Sequence, residues 1–225
     1  MKILALDSSG LVASVALLEN DNLVAEFTVN NKKTHSQTLL PMLDEVVNAA
    51  GIELDAVDAI AIAAGPGSFT GLRIGAATVK GLSLALDKPV VPVPTLEGLA
   101  YNFWGSDRLI CPIMDARRNQ VYTGLYRFDE AGNLVTEMDQ IPMDVNELID
   151  LLLEKDEEVQ FTGDGIQVYG SQILSKMKHA RLAPAHLNKQ KAGSVAYAGA
   201  YRYAHEQYIN GDDLSLIHIS EPTRH

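Results

Sequence analysis

The chain of 225 residues holds a single cysteine, Cys111, a single tryptophan, Trp104, and only 6% aromatic residues. One thiol cannot close an internal disulfide or supply a cysteine metal cage, so neither device holds this fold together. No apolar run approaches the roughly 18 residues of a membrane span. The opening MKILALDSSG has one lysine and too short an apolar segment for a secretory signal. Positive charge is scarce: 18 Lys and Arg stand against 29 Asp and Glu, a formal net charge of −11. A chain of this charge repels phosphate backbones at long range, so strong unaided nucleic-acid binding is not expected. Together these absences set the expectation of a cytoplasmic protein with no membrane association.

What is present fits an ordinary globular chain, 47% hydrophobic and 21% charged, long enough for one sizeable core or two small lobes. Two halves begin alike. Residues 2–18, KILALDSSGLVASVALL, read as an apolar strand, an Asp-containing turn and a second strand; residues 109–126, LICPIMDARRNQVYTGLY, repeat that plan. Asp7 and Asp115 occupy equivalent places. A third strand follows in each half, at 23–29 and 134–137, and then a helix. Residues 36–50 place Leu39, Leu43, Val46 and Ala50 on one face at helical spacing, with Pro41 near the start or at a kink. In the second half Asp144 precedes Glu147 by three, a capping-box spacing, and Leu148, Leu151 and Leu152 form the apolar face. The expected fold class is α/β, two duplicated lobes with mixed sheets flanked by helices. The expected boundaries are 1–104 and 105–213, with 192–209 a final Ala- and Tyr-rich helix. Leu214 to Arg224, LSLIHISEPTR, reads like a translated frame of a sequencing adapter. Residues 214–225 are therefore set aside from functional reasoning, with the natural end expected to differ.

The densest signal is GPGSFTGLRIGAATVKGLSLAL, residues 65–86, after the apolar run 59–64. A strand, a glycine turn and a helix N-terminus can turn backbone N–H groups toward an anion. The turn is not a P-loop, because Leu72-Arg73 stands where Lys-Ser/Thr would follow the last glycine, and the dinucleotide fingerprint fails by one position. It reads either as an anion-binding turn or as a tight turn whose glycines serve packing. The helix behind it, with Gly75, Ala76, Ala77 and Gly81, is either buried or a docking face for another helix. Asp7-Ser8-Ser9-Gly10 can position a phosphate or a metal-bound water, or simply make a polar turn. Asp115-Ala116-Arg117-Arg118 carries a basic pair able to hold phosphate, or is a solvated turn. None of the six histidines pairs at metal-ligand spacing, and His35, near a helix start, reads as a capping or surface residue. No nucleophile–histidine–acid set can be assembled.

MKILALDSS, GPGSFTGLRIG, VPTLEGLA and DARRNQVY together resemble the bacterial TsaB (YeaZ) family of tRNA threonylcarbamoyladenosine biosynthesis proteins over residues 1–213. The resemblance implies the actin/Hsp70-like (ribonuclease H-like) ATPase fold. In the family's catalytic paralogue, TsaD, the glycine-turn segment is followed by a His-x-x-x-His metal motif. Those positions fall here on Thr95 and Leu99, while Glu97 and Gly98 persist, and neither threonine nor leucine offers an imidazole nitrogen. The resemblance therefore implies a non-catalytic subunit, with no catalytic residue, metal or cofactor of its own. The resemblance further implies that it dimerises with TsaD, joins TsaE in a ternary complex, meets tRNA only through that complex, and can self-pair in isolation. The docking surface is expected on the first two helices, at Leu39, Leu43, Val46, Leu72, Gly75, Ala76 and Val79. A weak or vestigial nucleotide site is expected at Asp7, Ser8, Ser9, Gly65, Gly67 and Ser68. The competing reading is a small actin-like nucleotide hydrolase or kinase built on Asp7 and the 65–71 turn. A metallopeptidase is disfavoured because no HExxH or comparable ligand set exists.

Overall fold

The computed structural model describes residues 1–31 and 34–215, so all but the first two residues of the adapter-like tail lie outside the described residues. The chain divides into two compact units, one of Met1–Gly98 with the segment from Gln190, the other of residues 99–189. The first unit runs β1 (Lys2–Asp7), β2 (Ala13–Glu19), β3 (Asn22–Val29), α1 (His35–Ala50), β4 (Ala59–Ala63), α2 (Phe69–Leu86) and β5 (Val90–Val93). Helix α3 (Thr95–Ala100) follows, and then the second unit runs β6 (Leu109–Arg117), β7 (Gln120–Phe128), β8 (Leu134–Asp144), α4 (Val145–Lys155), β9 (Val159–Thr162), α5 (Gly165–Lys176) and β10 (Ala180–Leu182). The last helix is α6 (Ala192–Ala204).

The two sheets have the same topology, β3-β2-β1-β4-β5 and β8-β7-β6-β9-β10. In each, three antiparallel strands are extended by two parallel ones through helical crossovers. The duplication read from the Asp7 and Asp115 hairpins is therefore a duplication of whole sheets. Strands β1 and β4 are buried along almost their full length, as expected for central strands covered on both faces. One face of the first sheet carries Leu4, Leu6, Val15, Leu17, Ile60 and Ile62 against Leu39, Leu43 and Val46 of α1 and Val79 of α2. The core of the second unit gathers Cys111, Ile113, Val121, Leu148, Ile149, Phe161 and Ile173. Pro41 stays within α1 on its solvent side, where water can serve the carbonyl it leaves unbonded. Asp144 caps α4 by accepting from the Asn146 N–H, and the third strand of the second half continues to Asp144 rather than stopping at 137.

The expected boundary between residues 104 and 105, and the assignment of everything up to 213 to the second lobe, are corrected. Strand residues alternate between faces, so residues 3, 5, 59, 61, 91 and 93 face away from α1 and α2 and need a cover of their own. Helix α6 supplies it from the far end of the chain. A Cβ on Gly199 would lie 2.6 Å from Ala61 Cβ and within 4 Å of Ile3 and Val93. The Ala192 N–H donates to Ser14 Oγ at 2.8 Å, fixing the start of the helix on β2. The helix ends at Ala204, short of the expected 209, and Ile209 instead pairs with Val90 on the edge of β5. Gly199→Val is expected to lower stability by about 2 kcal/mol or more through overpacking against Ala61. Gly81→Ala, on α2 where nothing lies within 4 Å, is expected to raise stability by about 0.5–1 kcal/mol through helix propensity. Urea unfolding of both variants checks the pair, and a harmless Gly199→Val would contradict the placement of α6.

Candidate functional site

The 65–71 turn and the Ser8–Ser9 hairpin are pressed together. A Cβ on Gly67 would stand 2.3 Å from Ser9 O, one on Gly71 2.1 Å from Ser8 O, and one on Gly75 2.3 Å from Ser8 Oγ. Only glycine admits this approach. Two donors of the turn, the N–H groups of Ser68 and Gly71, are used within the chain. The Ser68 N–H donates to Ser9 O at 2.6 Å, and Ser68 Oγ accepts from the Gly71 N–H at 3.3 Å. Ser8 Oγ donates to Gly71 O at 2.9 Å. Leu72 stands where a P-loop carries its lysine, and Arg73, the next residue, lies over the Phe69 ring with its guanidinium carbon 3.7 Å from the ring centroid. Of the six residues expected at a nucleotide site, Ser8, Ser9, Gly65, Gly67 and Ser68 are thus brought together as a packed joint.

Asp7, the sixth, sits beneath that joint at 1% exposure. Its Oδ1 accepts from the Ser9 N–H at 2.9 Å and from Ser9 Oγ at 2.6 Å. Burial pushes its carboxyl up to about 6, opposed by the two Ser9 hydrogen bonds and by nearby His35. His35 is half-buried, and the expectation of a capping or surface role is corrected: its Nε2–H donates to Gly10 O at 2.9 Å. Its Nδ1 is buried and has no hydrogen-bond partner among the described residues. Gln190, 2% exposed, fills the space a Cβ on Gly10 would need. Sequence reasoning missed Gln190 because it lies some 180 positions from its neighbour and no pattern joins them.

The expected docking residues are also corrected. Leu39, Leu43, Val46, Leu72 and Val79 are between 0% and 3% exposed. Gly75 faces Ser8, and Ala76 packs on the same core. Helical spacing picks out the face that covers the sheet, and these residues are that face. The open faces of α1 and α2 carry Leu40 at 53% exposure, Leu84 at 58%, and exposed Phe69, Ala77 and Gly81.

Thr95 and Leu99 are both buried. Thr95 Oγ1 accepts from the Gly65 N–H at 3.1 Å while its own N–H donates to Gly65 O at 2.8 Å, a double tie across the turn. Glu97 is held by Arg202 of α6 at 2.6 Å. Among the described residues no group of three His, Cys, Asp or Glu side chains is placed to hold a metal ion.

The second hairpin is built differently. Arg117, Arg118 and Asn119 all have left-handed backbones, with φ of 64°, 53° and 62°. Arg118 and Asn119 form a two-residue turn closed by Arg117 opposite Gln120, and the register shifts between Asp115 and Arg117. Such turns favour Asn-Gly, and an L side chain in this region costs about 1 kcal/mol relative to glycine. The turn is held from behind. The Arg117 N–H donates to Asp115 Oδ1 at 2.9 Å, Tyr169 OH donates to the same oxygen at 3.1 Å, and Asn119 O accepts from the Val145 N–H at 2.9 Å. Asp164 is raised, chiefly by burial, and accepts from the Asp115 N–H at 3.3 Å. Both arginines are exposed, and neither guanidinium has an ion-pair or hydrogen-bond partner among the described residues.

Twin α/β units, each with an aspartate at the end of its central strand, define a protein of the actin/Hsp70-like ATPase fold. The activator of the 2-hydroxyisocaproyl-CoA dehydratase from Clostridium difficile superposes over 92% of this chain and 97% of its own, with a TM-score of 0.51 at 11% identity, a likeness of fold alone. YeaZ from Pseudomonas aeruginosa superposes over 95% of this chain and 97% of its own, with a TM-score of 0.78 at 28% identity. The family model described as TsaD, tRNA N6-adenosine threonylcarbamoyltransferase, matches residues 22–210. The TsaB protein of Bacillus subtilis is 38% identical over 77% of this chain and 75% of its own length. The chain belongs to the TsaB (YeaZ) family of tRNA threonylcarbamoyladenosine biosynthesis proteins.

Because the carboxyl of Asp7 is raised from 3.8 to about 6, the folded chain keeps this proton to higher pH than the unfolded chain does. The contribution of Asp7 to stability is therefore fully present below about pH 4 and is lost as pH rises through about 6. Asp7→Asn keeps an oxygen for Ser9 and carries no charge. Its stability relative to the parent is expected to improve by about 2 kcal/mol between pH 4 and pH 8. Urea unfolding across that range checks it, and parallel profiles would show that Asp7 is not the group responsible.

Proposed function

We propose that the chain is a non-catalytic subunit of the machinery that transfers a threonylcarbamoyl group to the adenosine beside the anticodon of tRNA. It pairs with the transferase TsaD, and TsaE joins the pair. The observation that carries this reading is the fate of Thr95 and Leu99. At the positions where the resemblance puts the transferase's metal histidines, this chain has a hydroxyl tied to Gly65 and a buried leucine. The fold is kept and the metal donors are gone. The packed Gly65–Gly71 joint supports the same reading, since the N–H groups of Gly65, Ser68 and Gly71 already serve the chain. We place the work in the cytoplasm, with no cofactor held by this subunit and with tRNA reached through the complex.

The partner surface is the open side of α1 and α2, where Leu40 and Leu84 stand exposed beside Ala77 and Gly81. Small residues let a second helix come close, and the flanking leucines supply apolar area. In isolation two copies of the chain pair through the same face. A second reading, a small nucleotide hydrolase or kinase, is favoured by one feature, the buried Asp7 with its raised carboxyl.

Size-exclusion of the chain with TsaD from the same source tests the surface. The parent chain is expected to co-elute with TsaD. Gly81→Arg and Leu84→Glu, on the open face, are expected to lose co-elution by at least tenfold in affinity without melting below the parent. Co-elution unaffected by both variants would move the contact elsewhere, and no complex at all would remove the scaffold reading.

A further inference from the structure

The two duplicated hairpins have parted in use. In the first unit the Asp7–Gly10 turn is buried and gripped by glycines. At the equivalent place in the second unit, Asp115–Asn119 is exposed and ends in two consecutive arginines. Their backbones are left-handed, where glycine or asparagine is the unstrained choice. Left-handed arginines persist only where the surroundings over-determine them, and here Asp115, Tyr169 and the Val145 N–H do so. The turn is thus a braced mount for two guanidinium groups that have no partner among the described residues. On a chain of net charge −11 they are a local exception to the repulsion of phosphate.

We propose that Arg117 and Arg118 form a phosphodiester-binding site, through which this subunit contacts the backbone of the tRNA being modified. The proposal rests on the role in tRNA modification given above and adds to it a direct RNA contact on the second unit, separate from the α1/α2 face. A guanidinium offers a planar fork that matches two phosphate oxygens, and two adjacent forks span neighbouring phosphates. Because phosphate contacts position without reading sequence, the site orients the tRNA and does not select it. The acidic body around it keeps the unaided affinity low, so the contact shows most clearly at low salt.

The test is a fluorescence-anisotropy titration of unmodified tRNA at graded salt, with the chain alone and with TsaD added. It compares the parent with the Arg117→Gly/Arg118→Gly and Arg117→Lys/Arg118→Lys double variants. The glycine pair is expected to bind about tenfold more weakly at low salt, with a log–log salt slope smaller by about 1.5. It is also expected to melt at a higher temperature than the parent, since the strain is relieved, so lost binding cannot be ascribed to lost fold. The lysine pair is expected to keep most of the slope and to lose part of the affinity, because the charge remains and the fork does not. Equal affinity and slope for the parent and the glycine pair overturn the proposal, as does the absence of tRNA binding by the parent in either setting. A glycine pair that loses TsaD while its tRNA slope is unchanged also overturns it, in favour of an acidic protein contact. The titration of the chain alone reads out whether or not TsaD binds, so failure of the scaffold reading is distinguished from failure of this one.

Discussion

The close approach of the Ser8–Ser9 hairpin to the Gly65–Gly71 turn is the constraint on which the first unit depends. Strands β1 and β4 end side by side, and the chain after each must turn within the same small volume. The conflict is resolved by removing side chains at Gly67, Gly71 and Gly75, so that the Ser9 carbonyl, the Ser8 carbonyl and the Ser8 hydroxyl occupy the vacated space. The Ser9 carbonyl then accepts from the Ser68 N–H and the Ser8 hydroxyl donates to the Gly71 carbonyl, so buried polar groups meet across the contact. This contact sets the start and tilt of α2, and α2 in turn closes the core beneath Leu72 and Val79. Thr95 braces the same turn from β5's side through its double tie to Gly65. One joint therefore fixes two strand ends, a helix and the entry to α3.

The same joint bears on chemistry. A glycine turn before a helix offers N–H groups to an anion only while those groups lack internal partners. Here Gly65, Ser68 and Gly71 have partners within the chain. The Thr95 side chain accepts from the Gly65 N–H through Oγ1, and a side-chain atom engaged with a metal ion could not at once accept that bond. Packing and ligand binding compete for these positions, and packing contacts engage the N–H groups of Gly65, Ser68 and Gly71. The second unit kept the topology and relaxed that competition, leaving Asp115, Arg117 and Arg118 at the surface.

Much of the fold was legible in the sequence because its signals are local. The Asp7 and Asp115 hairpins, the strand before Gly65 and the helices at α1, α2 and α4 follow from apolar runs, caps and turns within a few residues of one another. The place of α6 was not legible. Its complement is the Ile3, Ala61 and Val93 face, more than a hundred positions upstream, and an Ala-rich helix carries no mark of which sheet it covers. At the site, Asp7 and the glycine turn were visible as motifs, while Gln190 and the Gly10 bond of His35 were not, since only folding joins them. The docking residues were misread for a definite physical reason. Periodicity in a helix reports the face that is buried, so Leu39, Leu43 and Val46 name the core, and the surface open to a partner is what remains. Gly75 and Gly81 look alike in sequence, yet one meets Ser8 and the other meets open space.

The central proposal is that this member of the TsaB family keeps an ATPase fold without turning over substrate itself. Steady-state nucleotide hydrolysis and threonylcarbamoyl transfer, measured for the chain alone, for TsaD with TsaE, and for all three together, test it most directly. The account predicts background rates for the chain alone, a rate for the three-protein mixture well above that of TsaD with TsaE, and the same stimulation when Asp7→Asn replaces the parent chain. Turnover by the chain alone that disappears in Asp7→Asn would contradict it and make the Asp7 site an active one.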